Sequence, residues 1–176
     1  RKDGSEFPVE VGLSTVQTEA GTLIMSFVAD ITARKQIEAA LRQSEEKYRT
    51  LIEQSLQGVM IVRGPRTQIA FANPALAEIV GYTVEELTHM PHQKVDAIIH
   101  PEHQEVLQHF RDRLKGKSVP SRYEFRVIRK DGAVVWLQMS SNLIEYQGEP
   151  AVQATLVDTT ERRRTEAKLR QRTLEL

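Results

Sequence analysis

Five histidines are the first residues to examine for chemistry in this 176-residue chain. His89 and His92 lie three residues apart, as do His100 and His103, a spacing that offers two metal ligands whenever one helix holds both. Pro91 and Pro101 interrupt the pairs, and no Asp or Glu supplies a third and fourth ligand in register, so loop and cap roles are expected and no metal site is predicted. The carboxylates form no acid and base pair, since most open helices as "EE" or fill linkers, and no catalytic residue is predicted. Asp158 stands apart. It ends a strand-like run before "TTERRR", where its side chain can accept from free N–H groups of a starting helix, and a strand that shifted would pull on that cap. Asp30, Thr32 and Thr160 belong to the same pattern. "RRR" at 162–164 could meet phosphate, but with 24 basic and 24 acidic residues the chain has no net charge, and a solvated helix face is the expectation; no nucleic-acid partner is predicted. Phe71, Phe110, Phe125, Trp136 and Met139 could line an organic-ligand pocket or fill a core. The absence of cysteine excludes a disulfide framework, a thiolate metal site, a Cys nucleophile and a cysteinyl flavin adduct.

The elements that must position these residues follow from an internal repeat. Residues 1–43 lie ungapped over 129–171 at a shift of 128, with "RKDG" opening both copies and Asp30, Thr32, Arg34, Glu38, Ala39, Leu41, Arg42 and Gln43 also identical to their counterparts. In each copy "KDG" signals a turn, because Asp and Gly tolerate positive φ. Two strand-like runs follow, and then a junction, "DITARKQIEAAL" or "DTTERRRTEAKL", where the period changes from two to about 3.6. Each copy therefore reads as hairpin, hinge and helix. Residues 31–55 form an amphipathic linker helix in which Ile37, Leu41, Tyr48, Leu51 and Ile52 make a narrow apolar stripe.

Between the copies, "GVMIV" (58–62) and "QIAFA" (68–72) read as strands around the turn "RGPR". Asn73 is a plausible N-cap for a short helix over 74–80, since Pro74 at the first helical position loses no hydrogen bond, and Gly81 stops it. Thr83 with Glu86 reads as a capping box. A longer helix is expected over 100–116, with Val106, Leu107, Phe110 and Leu114 as its buried stripe. Three strands close the domain. The predicted class is α+β: a five-stranded antiparallel sheet with helices on one side, flanked by linker helices.

The runs "IAFANPALAEIVGYTVEEL" (69–87), "HPEH" (100–103), "YEFRVIRKDGAVVWLQMSSNLI" (123–144) and "DTTERRRTEAKL" (158–169) together resemble a PAS domain with its C-terminal PAC motif. The resemblance implies a module of bacterial sensor proteins that senses, dimerises and transmits, often ahead of histidine kinase or cyclic-dinucleotide domains in two-component and phosphorelay systems. By position, Asn73, Gly81 with Tyr82, Trp136, and Asp158 with Thr160 match family motifs. The "DIT" is literal at Asp30, Ile31 and Thr32, whereas Thr159 replaces its apolar residue. The flavin-binding branch needs a cysteine that is missing, and a haem branch would need His103 or His109, of which His103 is expected to face solvent or cap and His109 to miss a clear inward position. Haem and flavin are disfavoured, no cofactor is predicted, and a small organic ligand is left open.

The expected division is a C-terminal hairpin of a truncated upstream PAS domain (1–30), a helical linker (31–55), a complete PAS domain (56–160) and the start of a signalling helix (161–176). The missing initiator Met and signal peptide suggest a segment of a longer protein. A homodimer through the flanking helices and an output domain absent from this chain are the expected partners. The phospho-acceptor His of a kinase is absent from both linkers, so no enzyme activity is expected of this segment. No direct membrane insertion is predicted; the expected location is cytoplasmic, and the parent protein is free to carry an anchor.

Overall fold

Period-two alternation becomes strand and period-3.6 becomes helix in the order expected, in a computed structural model that describes residues 2–19 and 21–174. Arg1, Ala20 in the first hairpin turn, and the last two positions of the expected signalling helix, Glu175 and Leu176, lie outside the described residues. The chain divides into two units, residues 1–50 and 51–176. Among the described residues, no helix is long and apolar enough to cross a membrane.

In the first unit, β1 (Val9–Thr18) and β2 (Gly21–Asp30) pair antiparallel from Val9↔Asp30 to Thr18↔Gly21, and α1 (Thr32–Glu53) follows. The ladder begins at Val9, three residues later than the strand-like run in the sequence, because Pro8 has no N–H to donate. β1 and β2 form a sheet of their own and contribute no strand to the second unit. No side chain of α1 is buried, and Ile37, Leu41, Tyr48 and Leu51 are exposed.

The second unit carries the sheet β4-β3-β7-β6-β5, all antiparallel, built from β3 (Gly58–Arg63), β4 (Gln68–Ala72), β5 (Arg122–Ile128), β6 (Val134–Tyr146) and β7 (Glu149–Asp158). Short helices α2 (Pro74–Val80), α3 (Val84–Thr88) and α4 (His92–Ile98) and the longer α5 (Glu105–Leu114) are inserted between β4 and β5, and α6 (Thr160–Leu174) leaves the end of β7. One sheet face packs on the helices. Leu137, wholly buried, with Phe125, Val127, Met139, Val152, Ala154 and Leu156, meets Leu76, Val80, Leu87, Val106 and Phe110.

The repeat is structural as well as textual. β6 and β7 pair from Leu137↔Asp158 to Tyr146↔Glu149, every pair displaced by 128 from its counterpart in β1 and β2. The KDG turns agree too: Ser5 N–H donates to Asp3 Oδ1 and Ala133 N–H to Asp131 Oδ1, each at 2.9 Å, and Gly4 and Gly132 take φ of 80° and 85°, a region only Gly enters without strain. What differs is cover. Val152 and Leu156 are buried in the second copy, while their counterparts Ile24 and Val28 are 73% and 65% exposed.

The helix expected over 100–116 is broken. Ile99 bridges to Val127, His100 N–H donates to the Arg126 carbonyl at 3.0 Å, and these bonds hold 99–100 extended along the β5 edge. A 3-10 turn (Pro101–His103) follows, and α5 begins only at Glu105. Val106, Leu107 and Phe110 are buried as the stripe requires, whereas Leu114 is half-buried at the helix end.

Candidate functional site

Asn73 organises the entry to the helical side. It is wholly buried, and its Oδ1 accepts from Val59 N–H at 2.8 Å and from Leu76 N–H at 3.1 Å, joining β3 to the first turn of α2. Its Nδ2 donates to the carbonyls of Ile52 and Gln57, both at 3.0 Å, so every hydrogen-bonding position of the amide is used. Thr83 and Glu86 form the capping box, and Lys130 pairs with Glu86 at 2.5 Å. That ammonium first, and the Thr83 N–H second, hold the Glu86 carboxyl below the usual carboxylate range.

Behind these helices the core leaves an apolar cavity of about 90 Å³. Phe110, Phe125 and Met139 line it with Met60, Leu137 and Ser141; Ile98, Ile99, Val106 and Leu107 roof it. Phe71 and Trp136 stand elsewhere. A bulge between Ile61 and Val62 resets the alternation of β4, so Phe71 pairs with Ile61 on the face away from Met60 and Val62, and Trp136 lies between inward Val135 and Leu137. Ser141 is 2% exposed and its hydroxyl makes no hydrogen bond of good geometry, although it lies near enough to Tyr123 to favour the phenolate. Burial outweighs that pull and raises the Tyr123 phenol above its ordinary range. No charged side chain lines the cavity. An apolar cavity of roughly 150 Å³ accommodates benzene, so this one suits a neutral molecule of about five non-hydrogen atoms and would need core displacement to take a flavin ring or a haem.

The second feature is the exit from β7. Thr160 N–H donates to Asp158 Oδ1 at 2.8 Å, Thr159 N–H to the Trp136 carbonyl at 2.8 Å, and Trp136 N–H to Thr160 Oγ1 at 2.9 Å. Asp158 thus holds the first helical N–H through a turn of three residues rather than reaching deeper into the helix. Thr159, the departure from the apolar pattern, is buried, and its hydroxyl donates to the same Trp136 carbonyl at 3.3 Å, which satisfies the polar atom that the substitution introduced. The first copy repeats the frame: Ile31 N–H donates to the Pro8 carbonyl at 3.1 Å and Thr32 N–H to Asp30 Oδ1 at 2.9 Å.

The histidines take separate places. His89 lies against the Glu85 carbonyl at 2.9 Å, and His92 opens α4. His100 caps the 3-10 turn, its Nδ1 accepting from Glu102 N–H at 3.3 Å. Burial, with Arg126 and His103 nearby, holds the His100 imidazole below its ordinary pKa. His103, expected to cap or face solvent, is turned instead onto Trp136, because the 3-10 turn winds its side chain across the β5 edge. His109 is half-buried against Tyr123. Among the described residues, no three His, Asp or Glu side chains converge to hold a metal ion.

A family model described as the PAS fold matches residues 69–156, half of the chain. The chain belongs to the PAS family. A second model, described as the PAS domain, matches residues 1–33, the first copy of the repeat. Curated relatives include the methyl sulfide methyltransferase-associated sensor of Methanosarcina acetivorans, 28% identical over 72% of this chain and 12% of that protein. Sporulation kinases A and C of Bacillus subtilis are 24% and 22% identical over 94% and 96% of this chain, and over 27% and 40% of those proteins. The chain thus spans well under half the length of these relatives. Among solved structures, a PAS domain of an HTR-like protein from Haloarcula marismortui superposes with a TM-score of 0.54 at 20% identity, covering 70% of this chain and 98% of that one. A sensory box histidine kinase/response regulator from Burkholderia thailandensis gives 0.52 at 23% identity, covering 73% and 96%. These likenesses establish an α+β PAS fold and a general place among sensory and signalling modules.

Proposed function

We propose that this chain is a signal-relay segment in which the state of the PAS core sets the orientation of α6, and that α1 and α6 pair with a second copy to carry the change to a C-terminal output domain. The observation that carries this reading is the duplicated junction, in which the same backbone bonds join the last strand to the next helix in both copies. Residues 1–30 are, on this reading, the closing hairpin of a further PAS domain, and the narrow apolar stripe of α1 is the dimer seam. The kinase names among the relatives make a histidine kinase the leading candidate output, with a cyclic-dinucleotide enzyme as the alternative.

The cavity is the proposed input. A ligand that binds one helix orientation more tightly than the other shifts their populations, and a hundredfold change in their ratio takes about a hundredfold difference in affinity. The chain has no cysteine, so nitroxide labels at Asn142→Cys and Glu166→Cys, both exposed positions of the second unit, report α6 against β6 without background. n-Butanol, a five-atom neutral probe with one hydroxyl, should stabilise the fold and move the label distance distribution. A distribution that stays unchanged while n-butanol raises the melting temperature would refute relay through α6. If n-butanol leaves both unchanged and native mass spectrometry finds no bound molecule, the domain is a ligand-free spacer in a string of modules.

A further inference from the structure

Asp158 and the backbone bonds account for the position of α6 but leave one cluster on the other sheet face unused. The Arg163 guanidinium, in the first turns of α6, lies 4.0 Å from the centre of the Trp136 ring. Arg126 of β5 lies 5.3 Å from the same centre, and the His103 ring meets it edge-on at 5.5 Å. Arg163 also pairs with Glu124, and Arg162 joins that carboxylate at 3.3 Å. His103 Nε2 and Arg126 Nε are buried with no hydrogen-bond partner, so the indole is the contact both groups lean on. Trp136 therefore holds α6 with its ring as well as with its main chain.

His103 sits between the two groups that roof the cavity, Ile98 and Ile99 before it and Val106, Leu107 and Phe110 after it. Its neighbour Glu102 is paired to Arg126. Any displacement of the roof moves both partners that Trp136 has on that side. In the first copy this device cannot form: Pro8 stands at the position of Trp136, without an aromatic face or an N–H for the threonine hydroxyl, and Lys35 replaces Arg163. Lysine is a compact charge that does not stack as a planar guanidinium does.

We infer that Trp136 couples the cavity roof to α6, with His103 and Arg126 on its input side and Arg163, braced by Glu124, on its output side, and that the first junction is a simple hinge without this coupling. The inference rests on the relay reading for its purpose, but its contacts are testable without any ligand. Cation–π contacts of this kind are individually modest, so their loss should change the local opening of the helix by about threefold to tenfold.

Hydrogen exchange of the 163–168 amides in the full chain reads that opening, with β3 amides as the reference for global stability. Arg163→Lys, which copies the first junction, and His103→Ala should each raise α6 exchange about threefold, and Trp136→Leu about fivefold, with β3 unchanged. In the Trp136→Leu background, His103→Ala should add nothing, because its route to α6 is gone. Unchanged α6 exchange in Arg163→Lys, or an equal effect of His103→Ala with and without the tryptophan, would overturn the inference. Should Trp136→Leu also loosen β3, Arg163→Lys and His103→Ala, combined singly and together, give the same cycle with the ring intact, and full additivity there refutes the coupling. None of these outcomes depends on n-butanol moving the nitroxide labels, so the relay reading and the coupling through Trp136 fail separately.

Discussion

Replacing Asn73 by Ala tests whether one amide ties the sheet to the helical side. The substitution removes the acceptor of Leu76 N–H, an N-cap worth about 1 kcal/mol, and strands the Val59 N–H between β3 and α2 at a cost of about 2 kcal/mol. The carbonyls of Ile52 and Gln57 also lose a donor, but these residues are exposed and their carbonyls can turn to water, so they add little. A loss of about 3 kcal/mol should lower the midpoint of the second unit by about 10 °C. Trp136 is the single tryptophan of the chain and lies in that unit, so its fluorescence follows the unfolding of residues 51–176 without a signal from the first hairpin. Asn73→Asp keeps the acceptor for both N–H groups and puts negative charge at a helix start, while losing both donations; its cost should be about 1 kcal/mol. A midpoint for Asn73→Ala within about 3 °C of wild type would refute the reasoning that the buried amide is the organising bond.

Three further outcomes are expected. Leu137→Ala, at the most buried point of β6, should cost about 3 kcal/mol by tryptophan-monitored denaturant titration, through lost burial and an enlarged cavity. Leu41→Lys or Leu51→Lys, on the exposed stripe of α1, should weaken the dimer without altering the melting of the second unit; sedimentation of either variant as an unchanged dimer would remove α1 from the interface. Glu86 has a folded pKa below its unfolded value, so its stabilising contribution is present above the ordinary carboxylate pKa and is lost as pH falls through the lowered folded value. Melting between about pH 6 and pH 3 should therefore fall less steeply in Glu86→Gln than in wild type, and equal slopes would contradict the Lys130 and Thr83 contacts.

Local chemistry was legible wherever a few neighbouring residues decide the outcome. The Asn73 cap, the Thr83 and Glu86 box and the KDG turns need only bonds within four residues, and each forms where the sequence places it. The repeat also carried the hairpin register, since turn length and alternation together leave one pairing of β6 with β7. His100 and His103 were harder. Their spacing is helical, but the bridge from Ile99 to Val127 is a contact between segments far apart in sequence, and it holds the first of them extended. α4 was not distinguished by itself, because Val95 and Ile98 give too short an apolar pattern.

The sequence by itself determined a doubled hairpin-and-helix plan, an α+β domain between the copies, and the caps that start its helices, because those features depend on dihedral preference, period and spacing along the chain. Tertiary structure alone decided which side of the sheet each aromatic serves. The bulge at Ile61 and Val62 sends Phe71 away from the cavity, and Trp136, one step out of phase with Leu137, finds Arg163, Arg126 and His103 from three separate elements. Alternation states that successive side chains point to opposite faces; which face becomes the core depends on the helices that cover it, and their positions are set by contacts that no local pattern records.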